Sequence, residues 1–225
     1  LVDLCLHNLP VRLIGNGGGV VYAPLGPTHL AVEDIAIFRV IPNMTIIAPC
    51  DAEEMVRLVK QTVNWPHPIY IRLAKGGDKV VSNKKNGFEI GKAILLRPQG
   101  QGLFITTGVM TQKAIEASEQ LEKEGIQCGV LHVHTIKPLD YQALASLIPK
   151  VDVVVTVEEH ARIGGLGSAV LEYCSDKIPK HTSKINRIGI PDKFSDKYGS
   201  QETLLEYFEI TVESIKNLMK LKTRN

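Results

Sequence analysis

Hydrophobic residues along this chain fall into short continuous runs, separated by longer stretches in which they recur every three or four positions. The runs at 11–15, 44–48, 68–73, 92–96, 103–107, 128–134, 151–157 and 185–190 predict strands buried on both faces. The stretches at 33–40, 52–64, 111–124, 141–148, 201–207 and 211–221, and one opening at 164–168, predict helices. Residues 1–9 read as an amphipathic helix whose beginning is missing, without the basic start or cleavage site of a targeting peptide. In the helix at 52–64, Asp51 is the expected N-cap and Glu53 and Glu54 sit favourably in the first turn. Met55, Val56, Val59 and Val63 form its expected buried stripe. Strands alternating with helices of about a dozen residues specify parallel βαβ units and an α/β class.

The alternation lapses between Asp78 and Gly87, where Ser82-Asn83-Lys84-Lys85-Asn86-Gly87 is polar and aperiodic. A boundary there divides the chain into units of residues 1–82 and 87–225. Composition adds mainly exclusions. With 44% apolar and 22% charged residues and a net charge of +2, the chain has the profile of a globular protein without a nucleic-acid or membrane partner. No apolar run reaches the ~18 residues of a membrane span. The cysteines Cys5, Cys50, Cys128 and Cys174 are far apart in apolar patterns, which predicts buried thiols in a reducing compartment and a cytoplasmic location. The basic end at 220–224 reads as a solvated terminus.

The segment that breaks every periodicity is Gly17-Gly18-Gly19-Val20-Val21-Tyr22-Ala23-Pro24-Leu25-Gly26-Pro27-Thr28-His29. Its glycines and prolines exclude regular structure, and it leaves the carboxyl end of a strand, where open α/β sheets bind ligands. His29 is thereby expected at a pocket edge. Elsewhere, His132 and His134 alternate on one strand face as a candidate metal pair, with no third ligand near in sequence. Gly164-Gly165-Leu166-Gly167-Ser168 has the form of an anion nest or of a tight strand-to-helix turn. Glu158, Glu159 and His160, at a strand's carboxyl end, could be acid–base groups or ligands.

Gly26-Pro27-Thr28-His29, with Glu33-Asp34-Ile35-Ala36 and Arg39-Val40-Ile41-Pro42-Asn43-Met44, resembles the pyrimidine-binding domain of transketolase and its thiamine diphosphate relatives. Pro49-Cys50-Asp51-Ala52-Glu53-Glu54 is similar to that family's helix start. Ile136-Lys137-Pro138-Leu139-Asp140, Thr156-Val157-Glu158-Glu159-His160 and the glycine run at 164–168 resemble the transketolase C-terminal domain. The resemblance extends over the whole chain, with the motifs in family order. It implies two three-layer α/β units with mainly parallel sheets: the downstream part of a pyrimidine-binding domain, then a C-terminal domain. It also implies a carbohydrate-metabolising transferase that moves a two-carbon ketol unit between sugars or sugar phosphates, using thiamine diphosphate and Mg. By the same resemblance His29 is the catalytic histidine facing the thiazolium and the donor hydroxyls, and Arg72 holds the substrate's anionic end. A neutral imidazole donates and accepts at once, and a guanidinium offers a planar fork to a phosphate. The implied partners are a second copy, as a homodimer, and a diphosphate-binding N-terminal region or subunit.

Several positions depart from the family pattern. Leu25 stands where an aspartate commonly contacts the sugar, and Gly17 where a phosphate-binding histidine is common, which points to a modified donor or acceptor such as an amino, deoxy or nucleotide-linked sugar. The glutamate that activates the cofactor and the Gly-Asp-Gly…Asn motif for its magnesium diphosphate are absent from this sequence. Gly77-Asp78-Lys79 is a turn, not that motif. The chain alone is therefore expected to be inactive. Deoxyxylulose phosphate synthase fits less well because Leu30 and Ala31 follow the histidine. The β subunit of a 2-oxo acid dehydrogenase fits less well because it lacks the Gly-Pro-Thr-His loop, and a non-catalytic scaffold of the same fold is the alternative from another class.

Overall fold

The computed structural model describes residues 2–220. Leu1, the final residue of the helix expected over 211–221 and the basic end beyond Lys220 lie outside the described residues. The first sheet is built from β1 (Arg12–Asn16), β2 (Thr45–Ile47) and β3 (Ile69–Leu73), all parallel in the order β1-β3-β2. A short α1 (Val2–Leu6) precedes them, and α2 (Asp34–Arg39) and α3 (Ala52–Thr62) make the crossovers. Ile46, Ile47, Ile69 and Ile71 are buried because each face of the sheet is covered. Ile35, Met44 and Cys5 pack on one side and Leu58 and Ile90 on the other.

The second sheet contains β4 (Ile94–Arg97), β5 (Gly102–Thr106), β6 (Cys128–His132), β8 (Val153–Ala161) and β9 (Lys184–Ile190), in the order β4-β6-β5-β8-β9. All its pairs are parallel except β4 with β6. Phe104, Val155 and Val130 face α4 (Met110–Lys123), α7 (Gln201–Tyr207) and α8 (Val212–Lys220). Leu103, Ile105 and Val154 face α5 (Tyr141–Leu147) and α6 (Leu166–Lys177). Helices on both faces make three layers, and the two mainly parallel sheets are the α/β architecture expected from the alternation.

Two expectations need correction. The run at 128–134 is not one strand: β6 ends at His132, and the chain crosses to form β7 (Thr135–Lys137), which pairs antiparallel with β2. The later part of the chain thus completes the first sheet. The apolar stripe of α3 is also displaced. Its inward positions are Glu54, Leu58 and Thr62 with Met55, while Val56, Val59 and Val63 are exposed. Interior hydrogen bonds decide this face. Glu54 binds the Cys50 N–H and His132, and the Thr62 backbone carbonyl accepts from Arg12. The Asp51 cap is as expected, accepting from the Glu54 N–H at 2.8 Å. Among the described residues, no helix is long and apolar enough to cross a membrane.

Candidate active site

The glycine loop hangs from the carboxyl end of β3. The N–H groups of Gly17 and Gly18 both donate to the Leu73 carbonyl, at 3.0 and 2.8 Å, and Gly19 and Ala31 exchange two backbone bonds that close the loop. Side chains lie flat against it, so no Cβ fits. Gly17 has φ 90°, and a Cβ there would stand 2.2 Å from the Tyr22 ring; one on Gly18 would stand 2.8 Å from Arg72, and one on Gly19, 2.4 Å from Glu159. The Val20 N–H donates to Glu159 Oε1 at 2.8 Å, and Gln201 donates to both oxygens of the same carboxylate. The loop is thereby fixed to the second sheet.

Two single turns then carry the chain to His29. That side chain is exposed, with Nδ1 3.0 Å from Thr28 Oγ1. On either side of it, Pro27 and Leu30 line an apolar cleft of about 450 Å³, shared with Ile37, Ile163 and Phe194. Phe194 is 85% exposed and Ile163 62%, so the rim of this cleft is large, apolar and uncovered in the single chain.

Arg72 is placed differently from His29. It lies beneath the loop, buried, with Nε 2.8 Å from Asp34 Oδ2 and Nη2 donating to the carbonyls of Ala31 and Glu159 at 2.8 and 3.0 Å. Tyr70 donates to the same Asp34 oxygen at 2.7 Å. Burial alone would favour the neutral guanidinium, but Asp34 and Glu159 outweigh it and hold the charge more firmly than in water. Three of its five N–H donors, the Nε–H and those of Nη2, are spent on tying α2, the loop and β8 together. Arg72 touches His29 only through the chain, by gripping Ala31 two residues on.

The acidic pair at the end of β8 has a structural explanation. Glu158 accepts from the Leu166 and Gly167 N–H groups at 2.7 and 2.8 Å, so the glycine nest that opens α6 is filled by the chain's own carboxylate. Burial pushes Glu158 up to about 7, against the pull of those two donors, Arg72 and Arg187. Burial also raises Glu159, and it lowers the neighbouring His160 to about 4, with the Arg72 charge acting in the same direction. Gly76 and Gly77 have φ of 97° and 86° in open space, as a turn requires.

A grouping that sequence spacing did not expose joins the two sheets. Glu54 Oε2 is 2.8 Å from His132 Nε2, and Cys50 lies beside them, all three buried. Glu54 and His132 are 78 positions apart, so no local motif could announce them. Burial would raise the Glu54 carboxyl, but His132 and His134 hold it at about 2.

Thiamine diphosphate and magnesium are only partly matched by these residues. His29 is free to meet a ring and a substrate hydroxyl. The acidic groups behind the loop are already engaged, Asp34 with Arg72 and Tyr70 and Glu159 with Val20 and Gln201, and the turn at Gly77 offers no diphosphate cradle. The described residues do not by themselves hold the cofactor.

Comparison with known proteins fits this geometry. Residues 1–77 match the family model for the transketolase pyrimidine-binding domain, and residues 91–215 that for the transketolase C-terminal domain. The chain is 43% identical over 192 residues to an uncharacterized transketolase family protein of Sinorhizobium fredii, covering 84% of this chain and 55% of that one. It is 35% identical over 216 residues to one of the subunits of the apulose-4-phosphate transketolase of Phocaeicola vulgatus, covering 95% of this chain and 67% of that subunit. Among solved structures, a split-gene transketolase described as an inactive beta4 tetramer superposes with a TM-score of 0.87 at 33% identity, over 96% of this chain and 68% of that one. The chain thus spans between about half and two thirds of the length of these relatives.

Proposed function

This chain belongs to the transketolase family, and from that premise we propose that it supplies the substrate-facing side of an enzyme transferring a two-carbon ketol unit between sugars. The observation that carries the reading is the exposed His29, between Pro27 and Leu30 that line an apolar cleft, on a loop clamped from behind by Arg72 and Glu159. The catalytic role proposed for His29 is to donate to and accept from a substrate hydroxyl as its carbonyl becomes an alkoxide and returns. Arg72, expected to bind the substrate's anionic end, is proposed to contribute to substrate binding as a positioning residue, because the donors described above are spent on Asp34, Ala31 and Glu159.

The proposed division of labour leaves thiamine diphosphate and magnesium mostly to a diphosphate-binding region or subunit, with a second copy of this chain across the site. The uncovered apolar side chains Leu25, Ile37, Ile163 and Phe194 support such a covering partner, as do Val56, Val59 and Val63 on α3. A relative named as one subunit of a transketolase and a neighbour named as a split-gene protein support it too. The proposed units are residues 1–82 and 87–225, supported by the absence of any strand between Leu73 and Ile94, and the proposed location is cytoplasmic.

A modified sugar is the proposed substrate class. Gly17 is held at φ 90° with Tyr22 filling the Cβ position, so the backbone itself has no room for a phosphate-binding histidine there, and Leu25 presents no hydrogen-bonding group. One relative is named for apulose 4-phosphate, which supports a substrate other than xylulose 5-phosphate. The test is to mix the chain with the diphosphate-binding subunit of its own source, thiamine diphosphate and magnesium, and to measure ketol transfer. Turnover only in the mixture is expected, with xylulose 5-phosphate a poor donor. Turnover by the chain alone, or an ordinary transketolase rate with xylulose 5-phosphate, would overturn the reading.

A further inference from the structure

Two polar atoms buried between the sheets lack any partner. They are Oε1 of Glu54 and Nε2 of His134, on side chains wholly out of solvent. An orphaned carboxylate oxygen or imidazole nitrogen in such a place is destabilising unless something meets it. The first belongs to one small grouping, and the second is on the ring next to it. Cys50 Sγ, a Glu54 oxygen and a His132 ring nitrogen all lie within 4.8 Å of one another, and the rings of His132 and His134 are 5.8 Å apart. Four tetrahedral donors around a zinc-sized ion, at bonds of about 2.0–2.3 Å, would stand roughly 3.3–3.8 Å apart, so small side-chain rotations would close this set.

We propose that Cys50, Glu54 and His132 form a structural site for one transition-metal dication of the zinc type, stapling α3 to the end of β6.

The charge balance favours that class. One thiolate and one carboxylate cancel a dication, and a neutral imidazole adds none, so the assembled site is uncharged as its burial demands. A thiolate with an imidazole selects a borderline ion such as Zn²⁺ over Mg²⁺ or Ca²⁺, which favour oxygen donors. Forming it exchanges the 2.8 Å contact between Glu54 Oε2 and His132 Nε2 for bonds to the ion, and disturbs little else. The Cys50 S–H reaches only 3.6 Å to Asp51, whose oxygens already accept from the N–H groups of Val81, Ser82 and Glu54 and from the Ser82 hydroxyl. Glu54 can ligate through Oε1 while Oε2 keeps the Cys50 N–H at 2.7 Å.

His132 also has its outer support in place. Nδ1 is 2.8 Å from Thr111 Oγ1, which is 2.8 Å from Thr106 Oγ1. As the ion takes Nε2, the ring proton resides on Nδ1 and donates to Thr111, whose hydroxyl turns toward Thr106, the arrangement that orients metal-bound imidazoles. The Cys50 thiol proton leaves to solvent as its sulfur bonds the ion, so one proton is released per ion bound and no redox change occurs. The thiol is otherwise held protonated by its burial and by Glu54 and Asp51.

The test is to strip the purified chain with a chelator, titrate it with Co²⁺ and follow absorbance, then displace the cobalt with Zn²⁺. About one Co²⁺ per chain, in a tetrahedral spectrum with a thiolate charge-transfer band, is expected. Cys50→Ser should abolish that band and weaken zinc binding at least tenfold, while Cys174→Ser, at a buried cysteine remote in sequence from the grouping, should keep both. Circular dichroism of Cys50→Ser checks that it is folded, and the wild-type cobalt spectrum decides independently if it is not. No stoichiometric cobalt uptake by the folded wild-type chain, an octahedral spectrum without the thiolate band, or an unchanged band in folded Cys50→Ser would overturn the proposal.

Discussion

Replacing Arg72 by methionine removes the charge at the centre of the clamp while retaining an unbranched apolar stem. Three hydrogen bonds go: the ion pair to Asp34 at 2.8 Å and the bonds to the carbonyls of Ala31 and Glu159 at 2.8 and 3.0 Å. Each lost carbonyl bond in a buried setting is worth about 1 kcal/mol. Leaving Asp34, only 12% exposed, without its cation adds the larger part, and breaking a buried pair in this way costs about 3–5 kcal/mol in all. Because whole-domain stability is about 5–15 kcal/mol, the variant should be folded but visibly weakened. Urea unfolding is the assay: with a slope near 3 kcal/mol/M, the midpoint should fall by about 1 M or more. Asp34→Asn, measured alone and with Arg72→Met, completes a double-mutant cycle with an expected coupling of at least about 1 kcal/mol. A midpoint shift worth less than about 1 kcal/mol, or strictly additive effects, would refute the reasoning and return Arg72 to a solvent-facing, anion-binding part.

Gly17→Ala and Gly76→Ala separate backbone strain from crowding. Both glycines have positive φ, but only the first faces a ring, so thermal unfolding should show about 1 kcal/mol lost at Gly76 and at least twice that at Gly17; equal losses would deny the Tyr22 contact its part. Glu158 makes stability depend on pH. Its carboxyl is raised from 4.5 to about 7 in the fold, facing Arg72, Arg187, His160 and the N–H groups of Leu166 and Gly167. Between those values the folded chain keeps a proton that the unfolded chain has released. Its contribution is therefore full below pH 4.5 and is lost as pH rises through 7, by about 3 kcal/mol. Urea midpoints across that window should fall in the wild type and stay flatter in Glu158→Gln, and parallel slopes would contradict the assignment.

The sequence carried the architecture well where physics is local. The βαβ alternation, the Asp51 cap and the glycine loop at a strand end are all decided by neighbours in the chain, and each is found as expected. What failed was decided across the chain. The α3 stripe was misjudged because Glu54, polar in sequence, turns inward to meet His132. The single strand at 128–134 divides because β7 has its hydrogen-bond partner in β2, some 90 residues earlier, which no run of apolar residues can reveal. At 164–168 the sequence leaves an anion nest and a tight strand-to-helix turn as alternatives, and the choice depends on Glu158, whose carboxylate occupies the turn's N–H groups. The loop alone predicts an exposed position for His29, and its place in the reaction is implied only by the family resemblance; Arg72 reads as a strand-end cation, and its engagement with Asp34 depends on a tertiary contact.

The central claim is that one imidazole on this chain serves the reaction of the assembled enzyme. The measurement that meets it most directly is kcat/KM for ketol transfer by the reconstituted complex carrying His29→Ala, against the wild type at matched thermal stability. Because His29 is exposed and its Nδ1 is 3.0 Å from the Thr28 hydroxyl, the substitution should leave folding intact and lower kcat/KM by about 100-fold or more. A variant complex within about threefold of the wild type would contradict the account.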